Sequence, residues 1–371
     1  MAATPRLPAA RVRTLRQRLL GWYHRERRDL PWRRTRDPYA IWLSEIMLQQ
    51  TRVDVVIPYW QRFLTELPTV HALAAAPEDQ VLARWAGLGY YSRARSLHRA
   101  AREVVTRWGG VFPRTPAELE ELPGVGRYTA GAIASIAFGV PAPLLDGNVA
   151  RVLARLFAVE ASVDAPATRA ELWALAEALV DPDDPSGWNQ GLMELGATVC
   201  VPPPGSPRCE VCPLAGQCAA RAAGRQHELP VRAPRKAPRA LTWVTLAATT
   251  RAGALVLARR KPRGLFGGLW ELPSAEPAAD ETPAAAAARV VAALGLPGRP
   301  APRRAVEQEH VLTHRRLRLL AYRVTLPARG TAGVTIPGDA YDRVALVPPA
   351  ELARHGLSSA TSRLLEALSL A

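Results

Sequence analysis

Lysine is almost absent from this chain. Only Lys236 and Lys261 occur in 371 residues, and residues 1–235 contain none. A Schiff base through an ε-amino group is therefore excluded from the first 235 residues. Long apolar runs are missing too. Nothing approaches the roughly 20 residues that a bilayer-crossing helix needs, and the opening MAATPRLPAARVRTLRQRLL has no uninterrupted apolar segment resembling a signal peptide. No membrane partner and a cytoplasmic location are expected, at the nucleoid if the source is bacterial. Internal repeats are also lacking, and cysteine is limited to four residues.

What is abundant is arginine. Lys+Arg number 48 against Asp+Glu 33, a formal charge of +15, which points to an anionic polymer, foremost nucleic acid. An Arg- and Ala-rich composition explains the same excess without any partner. The length predicts two domains, each with its own core. Residues 10–225 read as short amphipathic helices broken by Pro, Gly and Asp turns, so this half is all-α. Asp37-Pro38 marks one helix start, with Asp as cap and Pro in the first turn. Residues 226–240 form a linker, whose PVRAPRKAP combines proline with positive charge. Residues 241–371 change to β-favouring runs, Trp243–Ala247, Ala254–Ala258 and Leu317–Val324, with a helix over Ala284–Leu294 that ends at Gly295. The second domain is α+β.

All four cysteines, Cys200, Cys209, Cys212 and Cys218, fall in one short loop, 200–218, spaced C-x8-C-x2-C-x5-C. In a reducing compartment such a cluster binds metal rather than forming disulfides, and four thiolates suit zinc or a [4Fe–4S] cluster. Two CxxC pairs are common in structural zinc sites; here there is one.

ELPGVGRYTAGAIASIAF sets a Pro-Gly-x-Gly turn between two helical stretches, and Ala130, Gly131, Ala132 and Ala134 permit close helix packing. Amides at Gly124, Gly126 and the following helix start can cradle a phosphate without reading sequence. Taken alone, the same turn serves as an ordinary helix connection. In LLDGNVARVLARLF, Asp146 precedes a helix and reads locally as its N-cap. Near a phosphate-gripping hairpin its carboxylate can also stabilise the positive charge that develops at C1′ of a deoxyribose as a base departs, much as in glycoside hydrolysis. That reaction needs an acid for the leaving base. Glu45, flanked at helical spacing by Ile41, Trp42 and Leu48, sits on an apolar helix face where desolvation would keep it protonated near neutral pH. A solvated helical glutamate is the plain alternative.

Together LPWRRTRDPYAIWLSEIMLQQT at 30–51, GLGYYSRAR at 87–95, LPGVGRYTAGAI at 122–133, LLDGNVARVLARL at 144–156 and NQGLMELGATVC at 189–200 resemble the helix-hairpin-helix, iron–sulfur branch of DNA glycosylases, specifically the adenine DNA glycosylase (MutY) family. The likeness extends over nearly the whole chain. It implies an all-α helix-hairpin-helix glycosylase domain carrying a [4Fe–4S] cluster on the four cysteines, followed by an α+β Nudix-like domain. It implies a monomeric base-excision-repair enzyme that acts on double-stranded DNA with adenine opposite 8-oxoguanine or guanine, flips the adenine and hydrolyses its N-glycosidic bond. Glu45 then matches the acid that protonates adenine N7, Asp146 the carboxylate facing the sugar cation, and Tyr128 and Asn148 residues supporting that step. Arg28, Leu30, Trp32, Arg33, Leu48, Thr51 and Gln190 match the adenine pocket, and Gln50 and Tyr90 the wedges entering the base stack. An endonuclease III-like glycosylase/lyase would need a lysine where this chain has Tyr128, so a monofunctional enzyme is expected. A non-catalytic lesion binder would not require both acids.

ALVLARRKPRGLFGGLWELPSAE resembles the strand and loop of a Nudix fold, but the helix that would carry Mg²⁺-binding glutamates reads AAAAARVVAAL. Phosphohydrolysis is not expected. The family reads 8-oxoguanine with a Phe-Ser-His turn; this chain has Leu312, Thr313 and His314, which keep a hydroxyl and an imidazole and lose the aromatic ring. The family usually has six residues between the first two cysteines. Here there are eight, VPPPGSPR, with Arg208 as the one basic residue of a loop that touches DNA in the family.

Overall fold

The computed structural model describes residues 7–234, 237–312, 314–327 and 340–370. The chain divides into two compact units, Met1–Ala74 with Arg99–Pro234, and Ala75–His98 with Arg235–Ala371. Residues 75–98 lie within the 10–225 span read from the sequence and group with the C-terminal unit.

The helices in chain order are α1 (Ala9–Glu26), α2 (Pro38–Leu48), α3 (Val53–Glu66), α4 (Val70–Ala75), α5 (Glu78–Arg84), α6 (Ser92–Trp108), α7 (Pro116–Glu120), α8 (Arg127–Phe138), α9 (Gly147–Leu156), α10 (Pro166–Leu179), α11 (Pro185–Thr198) and α12 (Ala219–Ala222). Their starts follow from local chemistry. Asp37 accepts a hydrogen bond from Tyr39 N ahead of Pro38, Thr115 and Glu118 close a capping box on α7, and Asp184 caps α11 through Gly187 N. Each such cap contributes about 1 kcal/mol.

The first unit's core joins Leu15, Leu19 and Tyr23 of α1 to Leu144, Val149, Leu153, Trp188, Leu192 and Leu195. Small residues let the backbones approach. A Cβ on Gly131 of α8 would stand 2.0 Å from the Pro143 carbonyl oxygen, and one on Gly196 of α11 would meet Asn148 Cβ at 2.6 Å. These two glycines seat the chain on either side of Asp146 against helices α8 and α11. Among the described residues no helix is long and apolar enough to cross a membrane.

The second unit is built on a seven-stranded sheet: β1 (Arg239–Thr250), β2 (Leu255–Arg260), β3 (Trp270–Glu271), β4 (Ser274–Ala275), β5 (Val306–Leu312), β6 (Arg315–Leu326) and β7 (Tyr341–Val347). Their order is β3-β2-β1-β6-β5, with β4 on β1 and β7 on β2. Among the described strands β1 and β6 form the parallel pair, with Trp243 opposite Leu319. Two further helices, α13 (Pro283–Ala293) and α14 (Ser359–Ala367), follow β4 and β7 in the chain. The period of two in the strands sorts the core: Leu241, Trp243, Ala247, Leu317 and Leu319 face Leu364 and Leu365 of α14. Val244, Leu246, Ala248, Leu320 and Tyr322 face Ala287 and Val290 of α13. A sheet covered on both faces explains why its central strands read as continuous apolar runs rather than alternating ones.

Candidate active site

A cavity of about 550 Å³ opens in the first unit, within the range of small-molecule sites. Its walls include Arg28, Leu30, Trp32, Arg33, Leu48, Thr51 and Gln190, together with Glu45, Tyr128, Asp146 and Asn148. Every residue expected in the adenine pocket or at the chemistry therefore meets in one place. Gln50 lines it as well, held at a left-handed φ of 58° just past the end of α2.

The two acids have different surroundings. Glu45, in the middle of α2, is buried at 5% exposure. Burial pushes its carboxyl up to about 7, and the negative charge of Asp146 adds to this, while the Tyr128 hydrogen bond and the Arg33 charge pull it back. The Tyr128 hydroxyl donates to Glu45 Oε2 at 2.7 Å, and burial with two nearby carboxylates keeps that phenol neutral. Asp146 caps α9, accepting from Val149 N at 2.7 Å and from Asn148 Nδ2 at 3.0 Å. Burial raises its pKa overall, and these amide donors and the Arg151 charge only oppose that rise. Arg151 in turn donates to Asn148 Oδ1 at 2.8 Å, fixing which way the amide faces. The cap role is thus real, and it holds the Asp146 carboxylate and the Asn148 amide together on the cavity wall.

Sequence reasoning missed Glu194. It is buried at 1% exposure and accepts from Arg28 Nε at 2.8 Å and Nη2 at 2.9 Å, and from Arg33 Nη2 at 2.8 Å. Burial alone would raise its pKa, but the two arginines outweigh this and hold it at about 2. The fork sets the positions of both arginines on the cavity wall. A signal was available: Gln190, Met193, Glu194 and Ala197, all lining residues, follow the i, i+3, i+4, i+7 spacing of one face of α11.

The hairpin lies between α7 and α8. Gly124 has a φ of 80°, and Gly126 stands at the start of α8. Gly124, Gly126 and Arg127 are all exposed, so the turn presents backbone amides and a cation to solvent. Tyr90 belongs to the second unit, at φ 47° and 43% exposed. There it lines a separate cavity that also includes Leu312 and His314. Thr313 lies outside the described residues.

Residues 43–178 match the family described as HhH-GPD superfamily base excision DNA repair protein, and residues 243–367 match a NUDIX domain. The chain is 39% identical over 383 residues to the adenine DNA glycosylase of Rattus norvegicus, covering 89% of this chain and 74% of that one. This chain belongs to the adenine DNA glycosylase family. Over 318 residues it is 42% identical to the adenine DNA glycosylase of Homo sapiens, covering 71% of this chain and spanning 58% of that protein's length. A thermostable thymine-DNA glycosylase structure aligns at a TM-score of 0.53 with 32% identity, covering 58% of this chain and 98% of that one. The architecture of this adenine DNA glycosylase family member is a helical HhH-GPD part followed by a sheet-based Nudix-like part.

The four cysteines of this family member form no disulfide and line a common cavity. Nitrogen donors surround them: backbone amides reach Cys212 and Cys218, and Arg155 Nη1 lies 3.2 Å from Cys200 Sγ. Among the described residues no three of His, Cys, Asp or Glu are arranged around a single ion position. Four thiols lining one space form a donor set that fits a thiolate-bound metal centre. In the longer first loop, Arg208 turns back to donate to the Thr198 carbonyl at 2.6 Å.

Proposed function

We propose that this protein is a monofunctional adenine DNA glycosylase of base excision repair, a monomer acting on duplexes with adenine opposite 8-oxoguanine or guanine. The observation that carries the reading is the pairing of acids in one cavity. A buried Glu45, raised to about 7 and hydrogen-bonded to Tyr128, faces the same space as an Asp146 furnished with amide donors. An acid held protonated by burial and a second carboxyl group held by amide donors, both facing one space, are what base excision requires.

The flipped adenine enters the cavity at a cost of a few kcal/mol for unstacking. The Glu45 proton passes to adenine N7 as the C1′–N9 bond breaks and its electron pair leaves with the base. Asp146 stabilises or captures the resulting oxocarbenium ion, and water completes hydrolysis to an abasic site and free adenine. Tyr128 and Asn148 hold the two acids. The Arg28–Glu194–Arg33 fork, with Leu30, Trp32, Leu48, Thr51 and Gln190, shapes the base pocket. Gly124 and Gly126 grip the DNA backbone, Gln50 and Tyr90 wedge the stack, and the Leu312, Thr313 and His314 turn contributes to reading the opposing base. A lyase step has no lysine amine to use within residues 1–235, where Tyr128 stands at the position that would need one.

Cys200, Cys209, Cys212 and Cys218 would hold a [4Fe–4S] cluster, which supplies a fixed structural scaffold and redox capacity when bound. The glycosylase domain spans 10–225, the linker 226–240 and the Nudix-like domain 241–371, with action in the cytoplasm or at a nucleoid. A single-turnover assay on A:8-oxoguanine and A:G duplexes tests the reading, following base release separately from strand cleavage. The wild type should release adenine without cutting the strand, and Asp146→Asn should lose at least about 10²-fold in rate. Full activity of that variant would sink the mechanism.

A further inference from the structure

The cavity that Cys200, Cys209, Cys212 and Cys218 line has a one-sided charge. Among the described residues Arg155, Arg208 and Arg221 line it too, and no aspartate or glutamate does. Arg208 and Arg221 are exposed, so water and salt screen them. Arg155 is not. It stands in the last turn of α9 and is 2% exposed. Its Nε donates to the Leu229 carbonyl at 2.8 Å, and its Nη1 reaches the carbonyls of Val201 at 3.0 Å and Cys200 at 3.2 Å, and the Cys200 sulfur at 3.2 Å. Cys218 Sγ lies 3.4 Å from the Arg155 carbonyl. One buried residue therefore meets the first and the last of the four cysteines.

Carbonyls satisfy the hydrogens of this guanidinium but not its charge. An arginine near a helix C-terminus commonly meets the last carbonyls of its own helix. Those around Arg155 come from residues 45 to 74 positions further along the chain, and among the described residues none of its hydrogen-bond partners is a carboxylate. A charge taken out of water is costly unless an opposite charge meets it. The Cys200 sulfur is the partner able to carry that opposite charge, because a metal-bound cysteine is a thiolate.

Resting on the [4Fe–4S] assignment of the proposed function, we propose that Arg155 is the built-in counter-charge of the cysteine centre, holding the Cys200 thiolate and setting the reduction potential of the bound cluster. Hydrogen bonds to ligating sulfurs and the net charge around them tune such potentials. A buried cation favours the more negative, reduced state. Arg155 therefore raises the potential and protects the centre against loss of an electron. It is a positioning residue, acting on the metal centre and not on the reacting base.

The test is a mediated redox titration of the full-length protein, following the visible absorbance of the cluster in wild type, Arg155→Gln and Arg155→Lys, each assayed for iron. Arg155→Gln keeps an amide donor and loses the charge. At a fixed applied potential its ratio of oxidised to reduced cluster should rise about tenfold, a midpoint about 59 mV lower for a one-electron couple. Arg155→Lys keeps the charge and should stay within about threefold of wild type. A purely structural role predicts equal effects of both changes, so a lysine variant displaced as far as the glutamine one overturns the proposal, as does a glutamine variant within about twofold of wild type. If either variant fails to fold or to retain iron, pulsed EPR decides. The protein then carries isotope-labelled nitrogen in arginine alone, with the exposed Arg208 and Arg221 replaced by glutamine and the cluster oxidised to a paramagnetic state. Coupling of the label to the cluster upholds the proposal and its absence refutes it. A wild type that binds no iron refutes the cluster assignment instead. The counter-charge is then decided by zinc loading and chelator competition: Arg155→Gln should hold zinc about tenfold less tightly, and equal affinities refute it.

Discussion

Replacing Glu45 by glutamine should make the protein more stable and less active at once, with a pH dependence set by the buried carboxyl. Glu45 is pushed from 4.5 up to about 7. Below pH 4.5 it is protonated in both folded and unfolded chains, so ionisation costs the fold nothing. Above 4.5 the unfolded chain releases the proton while the folded one retains it, and stability declines until pH passes 7, where the folded protein carries the buried charge outright. At about 1.4 kcal/mol per pH unit, the full penalty is about 3 kcal/mol. Glutamine keeps the shape and still accepts from the Tyr128 hydroxyl without carrying the charge. In urea unfolding of the full chain, Glu45→Gln should therefore match wild type near pH 4.5, apart from a constant offset, and exceed it by about 3 kcal/mol at pH 8 and above. In single-turnover excision at pH 7 the same variant should lose about 10²–10⁴-fold, the worth of general-acid catalysis. A stability difference that stays flat between pH 4.5 and 8 would show that the carboxyl ionises normally, and the acid assignment would fall with it.

Three other outcomes follow from the same cavity. Tyr128→Phe removes the hydrogen bond that lowers the Glu45 pKa, so the alkaline limb of the excision rate should move to higher pH; a shift to lower pH contradicts the arrangement. Glu194→Gln leaves Arg28 and Arg33 without their shared counter-charge, so unfolding free energy at pH 7 should drop by about 3 kcal/mol, as for other broken buried ion pairs, and adenine affinity should weaken with it. Borohydride should trap no efficient covalent adduct with DNA, because residues 1–235 offer no lysine; an adduct mapped to that stretch would overturn the monofunctional assignment.

Much of this site is legible in the sequence alone because its residues announce themselves locally. Asp37-Pro38 is a cap in sequence and in space, the period of Ile41, Trp42, Glu45 and Leu48 places the acid on an apolar face, and the Gly124 turn needs a positive φ that few residues tolerate. What the sequence did not reveal depends on contacts between distant segments. Glu194 looks like any helical glutamate until α11 brings it beside Arg28 and Arg33, which lie more than 160 positions earlier. The grouping of residues 75–98 with the C-terminal unit likewise has no local mark. It arises from contacts such as the Tyr91 hydroxyl donating to the Leu357 carbonyl. Arg155 is silent in the sequence for the same reason, since its partners Cys200 and Leu229 lie 45 and 74 positions later.

The two acids show how one fold gives two buried carboxyl groups different hydrogen-bond surroundings. Both carboxyl groups are removed from water, and burial raises both. The difference is where each sits on its helix. Glu45 is interior to α2, where the backbone amides of the turn are already engaged within the helix, so its donor is the Tyr128 phenol. Asp146 stands at the N-cap of α9, where the first amides have no intrahelical acceptor, and it collects the Val149 amide, the Asn148 side chain and the favourable end of the helix dipole. Burial thus leaves Glu45 holding its proton near neutrality, while the donors gathered at Asp146 oppose the rise that burial causes there, an arrangement in which one acid can donate to a departing base while the other faces the cation left behind. Exchanging the roles would require moving an acid from one helix position to the other, so the division of labour is fixed by the backbone before any substrate arrives.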